Sequence, residues 1–306
     1  MNARTHSTAA SSFATETWVF LALGSGVVAW YTLVMQTGTA DIGTWLVLFL
    51  AVAVALFGLP HGALDPWVAR RAELWHTPTG CVVFHLAYVA LVLLVIWAWR
   101  AAPTAALVVF LGVSAWHFGS DWRPSLHSLP RFGAGIAMLG LPAWRWPGQI
   151  DAAFGMLAGA GGQALAHILT AAGPFFLVAL LTVALLALGR GPRTAAAELG
   201  GVTALALLLP PLWFFLVYFC ALHSLRHLRL VTEAVPSDRR PRLAAMALGY
   251  TALTVVGAAL AWPWLAGLPV QAAGSEGLLR VVFIGLAAVT LPHVLVVEYA
   301  ENHTPA

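Results

Sequence analysis

Long apolar stretches cover most of this chain, and they limit its possible folds more than any other feature. Several of them reach the roughly 20 residues that a membrane-spanning helix needs. The composition agrees, because 60% of the 306 residues are hydrophobic and only 9% are charged, against about a quarter charged in soluble domains. The sequence therefore predicts an all-α fold, a polytopic transmembrane helical bundle with about 8–10 spans.

Clusters of Gly, Pro and Arg interrupt the apolar stretches and divide them into candidate spans. These spans lie at 18–35, 43–64, 80–99, 104–120, 131–146, 173–189, 197–209, 211–230, 243–262 and 278–300. The Gly- and Ala-rich stretch 151–170 is expected to be interfacial or re-entrant. We expect one membrane-embedded helical domain at 18–300, a disordered N-terminal tail at 1–17 and a C-terminal tail at 301–306.

The arginines predict how the chain is oriented in the membrane. All fifteen basic residues are arginine, and an inside N-terminus leaves only Arg100, Arg145 and Arg280 on the outer side. This asymmetry predicts a multi-pass protein of the bacterial cytoplasmic (inner) membrane, in contact with the lipid bilayer. The net charge of +3 then reflects orientation-setting loops, and no nucleic-acid partner is expected. The absence of lysine excludes a rhodopsin-type protein, which needs a lysine amine for its Schiff base.

Five histidines inside the apolar stretches are the candidates for a shared site: His61, His117, His223, His227 and His293. Ionisable side chains within a membrane are usually functional and usually have partners. At about 1.5 Å rise per residue, the predicted topology puts all five within roughly 5–15 Å of the cytoplasmic face. We therefore expect a metal site toward that face.

The most specific motif is His223-Ser-Leu-Arg-His227. Histidines at positions i and i+4 lie on the same face of a helix, so one helix can offer two ligands to one ion.

Two aspartates follow histidines at the same spacing. Asp65 comes four residues after His61, and Asp121 comes four residues after His117. Each carboxylate is expected to accept the second N–H of an imidazole, as outer partners of metal ligands do.

The role of His293 stays open on the sequence alone. It follows Pro292, whose missing N–H frees a backbone carbonyl such as that of Ala288. His293 could be a fifth ligand, an outer-shell base, or a buried histidine bonded to that carbonyl, and we place it in the outer shell.

Four neutral imidazoles suit iron, copper, zinc or nickel. An octahedral ferrous ion with four such ligands retains two positions for O2 and an organic group. A tetrahedral zinc ion would be closed by the same four ligands, which fits a structural site better than a catalytic one.

Four motifs in order, GLPHGALD, WHFGSD, HSLRH and LPHVLVVE, resemble the prokaryotic β-carotene 15,15′-dioxygenase family related to bacteriorhodopsin-related protein. The resemblance covers roughly residues 50–300. It implies an integral membrane enzyme that cleaves β-carotene centrally with O2 into two retinal molecules. It also implies a ferrous cofactor, Fe(2+), bound by catalytic histidines that correspond to His61, His117, His223 and His227. A rhodopsin that uses the retinal is a candidate downstream partner.

An apolar carotenoid would need an apolar, aromatic tunnel beside the metal. The candidate substrate-binding residues are Trp116, Phe118, Phe215, Tyr218 and Phe219.

Two other functions use intramembrane histidines. A metal or proton transporter would need polar groups that continue to the opposite face, but the outer halves of these spans are almost wholly apolar. A haem-b-binding membrane protein would pair single axial ligands on facing helices, and an i, i+4 pair in one helix does not suit that plan.

Overall fold

The computed structural model describes residues 3–37, 42–190, 193–267 and 274–303. These ranges contain helices and no strand, which confirms the predicted all-α polytopic fold. The α-helices, in chain order, are α1 (Ala3–Thr37), α2 (Ile42–Ala53), α3 (Leu59–Gly62), α4 (Asp65–Arg71), α5 (Pro78–Ala101), α6 (Pro103–Gly119), α7 (Ser128–Arg145), α8 (Pro147–Arg190), α9 (Arg193–Leu208), α10 (Pro211–Leu216), α11 (Leu225–Glu233), α12 (Arg240–Leu260), α13 (Trp262–Leu265) and α14 (Gly274–His303).

Eight segments of the described residues are long and apolar enough to cross a membrane, at the lower end of the predicted range. They are Glu16–Gln36, Trp45–Arg71, Pro78–Ala101, Pro103–Trp122, Pro147–Gly189, Pro211–Glu233, Ser237–Leu260 and Gly274–His303. The predicted spans 131–146 and 197–209 form α7 and α9 but fall outside this set. Helix α9 has only 16 residues, and α7 carries Arg131 and Arg145 within its 18 residues.

Prolines mark several helix beginnings. Pro78, Pro103, Pro147 and Pro211 are the first residues of α5, α6, α8 and α10. Proline suits this position because the first N–H groups of a helix have no intrahelical partner.

Two compact units make up the chain, and three chain segments contribute to each. Unit 1 consists of Met1–Ile42, Ser114–Gly155 and Gly162–His223, and unit 2 of Gly43–Val113, Met156–Gly161 and Ser224–Ala306. Helix α1 begins at Ala3, within the first predicted tail. Residues 1–2 and 304–306 of the predicted tails lie outside the described residues, and the division into one domain and two tails stays a prediction.

In unit 1, glycines bring α6 and α7 into backbone contact. A Cβ atom on Gly119 would lie 2.9 Å from the carbonyl carbon of Arg131, and one on Gly135 would lie 2.7 Å from that of Ala115. Small residues commonly allow membrane helices to approach this closely. The contact fixes the end of α6 that carries His117.

A buried carboxylate joins three elements of unit 1. Glu198 on α9 accepts a hydrogen bond from the Thr17 hydroxyl of α1 at 2.5 Å. It accepts another from the indole N–H of Trp122, just beyond α6, at 3.1 Å. These bonds offset part of the cost of burying a polar group in an apolar interior.

In unit 2, α14 packs against α4 and α5. A separate apolar core joins α4 and its preceding turn to α12 through Leu64, Val235, Leu243 and Ala247. Arg71 at the end of α4 donates to the carbonyl of Ala234 at 3.0 Å. These contacts hold the short α3–α4 region against longer helices.

Two π-helical segments interrupt the regular geometry, at Val54–Gly58 and Val217–Ser224. The first lies just before His61, where Pro60 cannot donate a backbone hydrogen bond. The second contains His223. Such wide turns are rare and often mark functional positions.

The stretch 151–170 is helical on both sides of a break in α8. Ala158 has φ −142° and ψ 16°, and Gly159 has φ 61° and ψ −149°, a conformation that glycine adopts without a steric penalty. The Trp99 indole donates to the carbonyl of Leu157 at 2.9 Å, just before the break. The interfacial or re-entrant location of this stretch stays a prediction.

Candidate functional site

Unit 1 brings His117 and His223 together. His117 lies near the end of α6 and His223 in the π-helical segment, and their exposed fractions are 2% and 0%. Their Nε2 atoms are 3.1 Å apart. The ring centroids are 4.6 Å apart and the ring planes make an angle of 81°, so the edge of one ring faces the plane of the other.

Asp121 orients this pair from the short 3₁₀ segment Ser120–Trp122. Both of its carboxylate oxygens lie 3.2 Å from Nδ1 of His223. The Tyr218 hydroxyl donates to Asp121 at 2.6 Å. The result is a buried Tyr–Asp–His chain that sets the tautomer of His223 and leaves its Nε2 toward His117.

Aromatic rings surround His223. Phe118, Phe219 and Tyr218 lie with ring centroids 4.8, 5.9 and 6.2 Å from the imidazole. Phe219 is nearly parallel to it, at 18°. These rings exclude water from the His117–His223 pair and make its surroundings apolar.

Unit 2 gathers the other three histidines of the predicted set. The ring centroid of His61 lies 6.0 Å from that of His227 and 4.9 Å from that of His293. His227 and His293 are 6.5 Å apart. These residues come from α3, α11 and α14, so three helices contribute one imidazole each.

Asp65 orients His293, one member of the unit 2 group. Its carboxylate accepts a hydrogen bond from Nδ1 of His293 at 2.7 Å and another from the Tyr88 hydroxyl at 2.8 Å. His61 donates from Nδ1 to the carbonyl of Gly58 in the π-helical segment. In both His61 and His293, Nε2 is therefore the nitrogen that could serve as a metal ligand.

Comparison with known proteins identifies the family of this chain. The profile of the family described as beta-carotene 15,15'-dioxygenase matches residues 52–301. The chain belongs to the beta-carotene 15,15'-dioxygenase family. It is 30% identical over 274 residues to the "Beta-carotene 15,15'-dioxygenase" of an uncultured marine bacterium, 66A03, over 84% of this chain and 95% of that protein.

A second relative is the "Probable beta-carotene 15,15'-dioxygenase Blh" of Halobacterium salinarum, 30% identical over 329 residues and 92% of each chain. No solved structure matches this chain. The family resemblance predicted from the four histidine-containing motifs is confirmed.

The donor set suits a transition metal, which a dioxygenase of this family is expected to use. Two nitrogens bound at right angles, each about 2.1 Å from one ion, would be about 3 Å apart, and the Nε2 atoms of His117 and His223 are 3.1 Å apart. The carboxylate on His223 is the usual outer partner of a metal-bound imidazole. His117, His223 and Asp121 all belong to groups of side chains that could hold an ion.

The partners predicted for the two aspartates differ from those observed. Asp65 bonds His293 instead of His61, and Asp121 bonds His223. A contact between residues i and i+4 requires continuous α-helix, but α3 ends at Gly62 before α4 begins at Asp65, and α6 ends before the 3₁₀ segment that contains Asp121. Both aspartates still hold histidines of the predicted set.

Two predicted substrate-binding residues, Phe215 and Trp116, lie against aromatic side chains of unit 1. Phe215 stacks on Phe219 at 5.1 Å. Trp116 lies 5.9 Å from Phe132, and the guanidinium of Arg131 lies 5.0 Å above its ring. Substrate contact by all five predicted residues stays a prediction.

The sequence reasoning missed Tyr88, which completes the Tyr–Asp–His chain of unit 2. A signal was available, because the chain has only five tyrosines and this one falls in the middle of an apolar span. A tyrosine buried in a membrane helix needs a partner for its hydroxyl.

Proposed function

We propose that this chain is a membrane carotenoid-cleaving dioxygenase. In the proposed reaction, O2 breaks the central 15,15′ double bond of β-carotene and supplies one oxygen atom to each of two retinal molecules. Two relatives that span most of the chain carry the name of this activity, which supports the choice of substrate.

We propose Fe(2+) as the cofactor and His61, His117, His223 and His227 as its ligands. The observation that carries this proposal is the buried His117–His223 pair, with Nε2 atoms 3.1 Å apart and the second ring fixed by Asp121. His223 and His227 are four residues apart in one helical span, a spacing at which two side chains share a helix face. This spacing lets one helical span supply two of the four proposed ligands.

Bound ferrous iron would supply the electrons that O2 needs before it can react with an alkene. The protein's part is to orient the imidazoles and to keep water away. Asp121 and Tyr218 fix His223, while Phe118 and Phe219 cover it with apolar surface. An apolar, aromatic lining suits a hydrocarbon substrate.

A membrane location suits this substrate as well. A carotenoid dissolves in lipid and is about as long as the hydrocarbon core is thick, roughly 30 Å, so it can enter sideways between helices. The arginine bias supports the bacterial inner membrane, with the metal site toward the cytoplasm. Retinal released into the same membrane would be available to a rhodopsin.

Expression in a bacterium that accumulates β-carotene tests the proposal. The wild-type chain should bleach the cells and yield retinal by chromatography, and His223→Ala should abolish both. His127→Ala is the matched control, because this histidine is exposed and should be dispensable. Longer apocarotenals would contradict central cleavage. Metal flux without bleaching would favour a transporter, and a Soret band in the purified protein would favour a haem protein.

A further inference from the structure

The histidine pairs of the two units have nearly the same geometry. His117 and His223 lie edge to face, with centroids 4.6 Å apart at 81°. His61 and His293 lie edge to face, with centroids 4.9 Å apart at 84°. The second pair therefore repeats, within unit 2, an arrangement whose members in unit 1 are both proposed ligands.

The hydrogen bonds behind the two pairs are also alike. In unit 1, Tyr218 and His223 share the carboxylate of Asp121. In unit 2, Tyr88 and His293 share the carboxylate of Asp65. The carboxylate takes Nδ1 of the imidazole in each case, so Nε2 is the atom presented to the site.

Burial makes a purely structural role costly for the hydrogen-bonded Tyr88, Asp65 and His293. Asp65 is 1% exposed and His293 is 6% exposed, and a carboxylate in an apolar interior is expensive even when it is paired. A histidine that only fills space needs no carboxylate. A carboxylate that fixes one tautomer and raises ligand basicity is the usual companion of a metal-bound histidine.

Another histidine of unit 2 shows the contrasting arrangement. His85 uses Nε2 to bond the Tyr250 hydroxyl at 2.7 Å and Nδ1 to bond the carbonyl of Cys81 at 2.7 Å. Both ring nitrogens are thus committed to the protein. His85 and Tyr250 provide a matched control, an intramembrane histidine–tyrosine pair without a carboxylate.

We infer that His293 is a further ligand of the metal ion and that Asp65 and Tyr88 are its positioning residues. The inference rests on the proposed function and adds a fifth imidazole to the four ligands proposed above. His293 would then hold the ion together with the four proposed ligands, and apolar side chains would hold the carotenoid.

Cobalt titration of the purified protein tests this inference without reference to activity. The full chain in detergent is stripped of metal and titrated with Co(II), and affinity is measured by competition with a chelator. Asp65→Asn should weaken binding by about 10- to 100-fold, the usual cost of losing a ligand's outer partner. His293→Gln should weaken it further and change the visible cobalt spectrum, and Tyr88→Phe should have the smallest effect of the three.

The controls His85→Gln and Tyr250→Phe should keep the wild-type cobalt affinity and spectrum. The inference is overturned if His293→Gln, eluting as a single species, binds cobalt with either property unchanged. Should that variant fail to fold, wild-type affinity in both Asp65→Asn and Tyr88→Phe would overturn it.

His223→Ala in the same series separates this inference from the proposed function. If His223→Ala loses cobalt and His293→Gln keeps it, only the fifth ligand is wrong. If His223→Ala keeps cobalt and still produces retinal, the proposed four-histidine site itself is wrong.

Discussion

Replacing Gly135 by alanine should disturb the site through the backbone of α6. A Cβ atom on Gly135 would lie 2.7 Å from the carbonyl carbon of Ala115 and 3.0 Å from its Cα, and closer still to its carbonyl oxygen. Ala115 is two residues before His117, so any displacement of this turn moves a proposed ligand.

The size of that displacement follows from the distances. Ordinary van der Waals contact begins at 3.4 Å, so the 2.7 Å separation from the carbonyl carbon has to grow by about 0.7 Å, and the shorter separation from the carbonyl oxygen has to grow by more. Functional groups generally have to be held within about 0.5 Å of their productive positions, and a 1 Å error can cost about 100-fold in rate. We expect retinal formation to fall by one to two orders of magnitude, and the free energy of unfolding to fall by about 1–3 kcal/mol.

The assay compares initial rates of retinal formation, iron content and thermal midpoint in detergent for Gly135→Ala and Gly133→Ala. Gly133 lies on the same helix, and a Cβ there would meet nothing within 4 Å. The control should be neutral or stabilising, because alanine favours a helix over glycine by up to about 1 kcal/mol. If both variants keep the wild-type rate and iron content, close backbone packing between α6 and α7 does not set the position of His117.

Three further changes separate metal binding, substrate fit and stability. Asp121→Asn should reduce iron affinity by about 10- to 100-fold, because His223 loses its anionic partner; unchanged affinity in chelator competition would contradict the hydrogen-bond chain. Phe219→Ala should leave the iron content intact but change the ranking of carotenoids by KM, and an identical ranking would remove this ring from the substrate path. Thr17→Val removes the buried hydrogen bond from the Thr17 hydroxyl to Glu198, so the free energy of unfolding should fall by about 1–3 kcal/mol. The thermal midpoint should fall while the iron content per folded protein is maintained, and an unshifted midpoint would mean that the bond contributes nothing to stability.

Hydropathy and sequence spacing predicted the helical architecture, and they predicted which histidines would lie close together. His117 and His223 were predicted to share a site because they fall at similar depths in different apolar stretches, and their Nε2 atoms are 3.1 Å apart. Depth is a one-dimensional quantity that a sequence provides directly.

Partner choice among the polar residues could not be predicted in the same way. Asp65 bonds a histidine 228 positions away and a tyrosine 23 positions away, and those partners depend on how α4, α5 and α14 are rotated. Local irregularities decide the rest, because Ala63 and Leu64 separate Asp65 from α3, and Asp121 lies in a 3₁₀ segment that begins directly after α6. Apolar periodicity gives little warning of them, since every face of a membrane helix can be apolar.

The wide turn at Val217–Ser224 helps to set the direction in which His227 points. A π turn takes in more residues than an α turn, so it resets the angular phase of all that follows. Deleting one residue just after it, such as Leu225, would leave a segment of nearly the same hydropathy, still long enough to span the bilayer. The same deletion would swing His227 about the axis by about 100°, one residue's share of a 3.6-residue turn. Insertion into the membrane thus depends on what this segment is made of, whereas the aim of its imidazole depends on how many residues it contains.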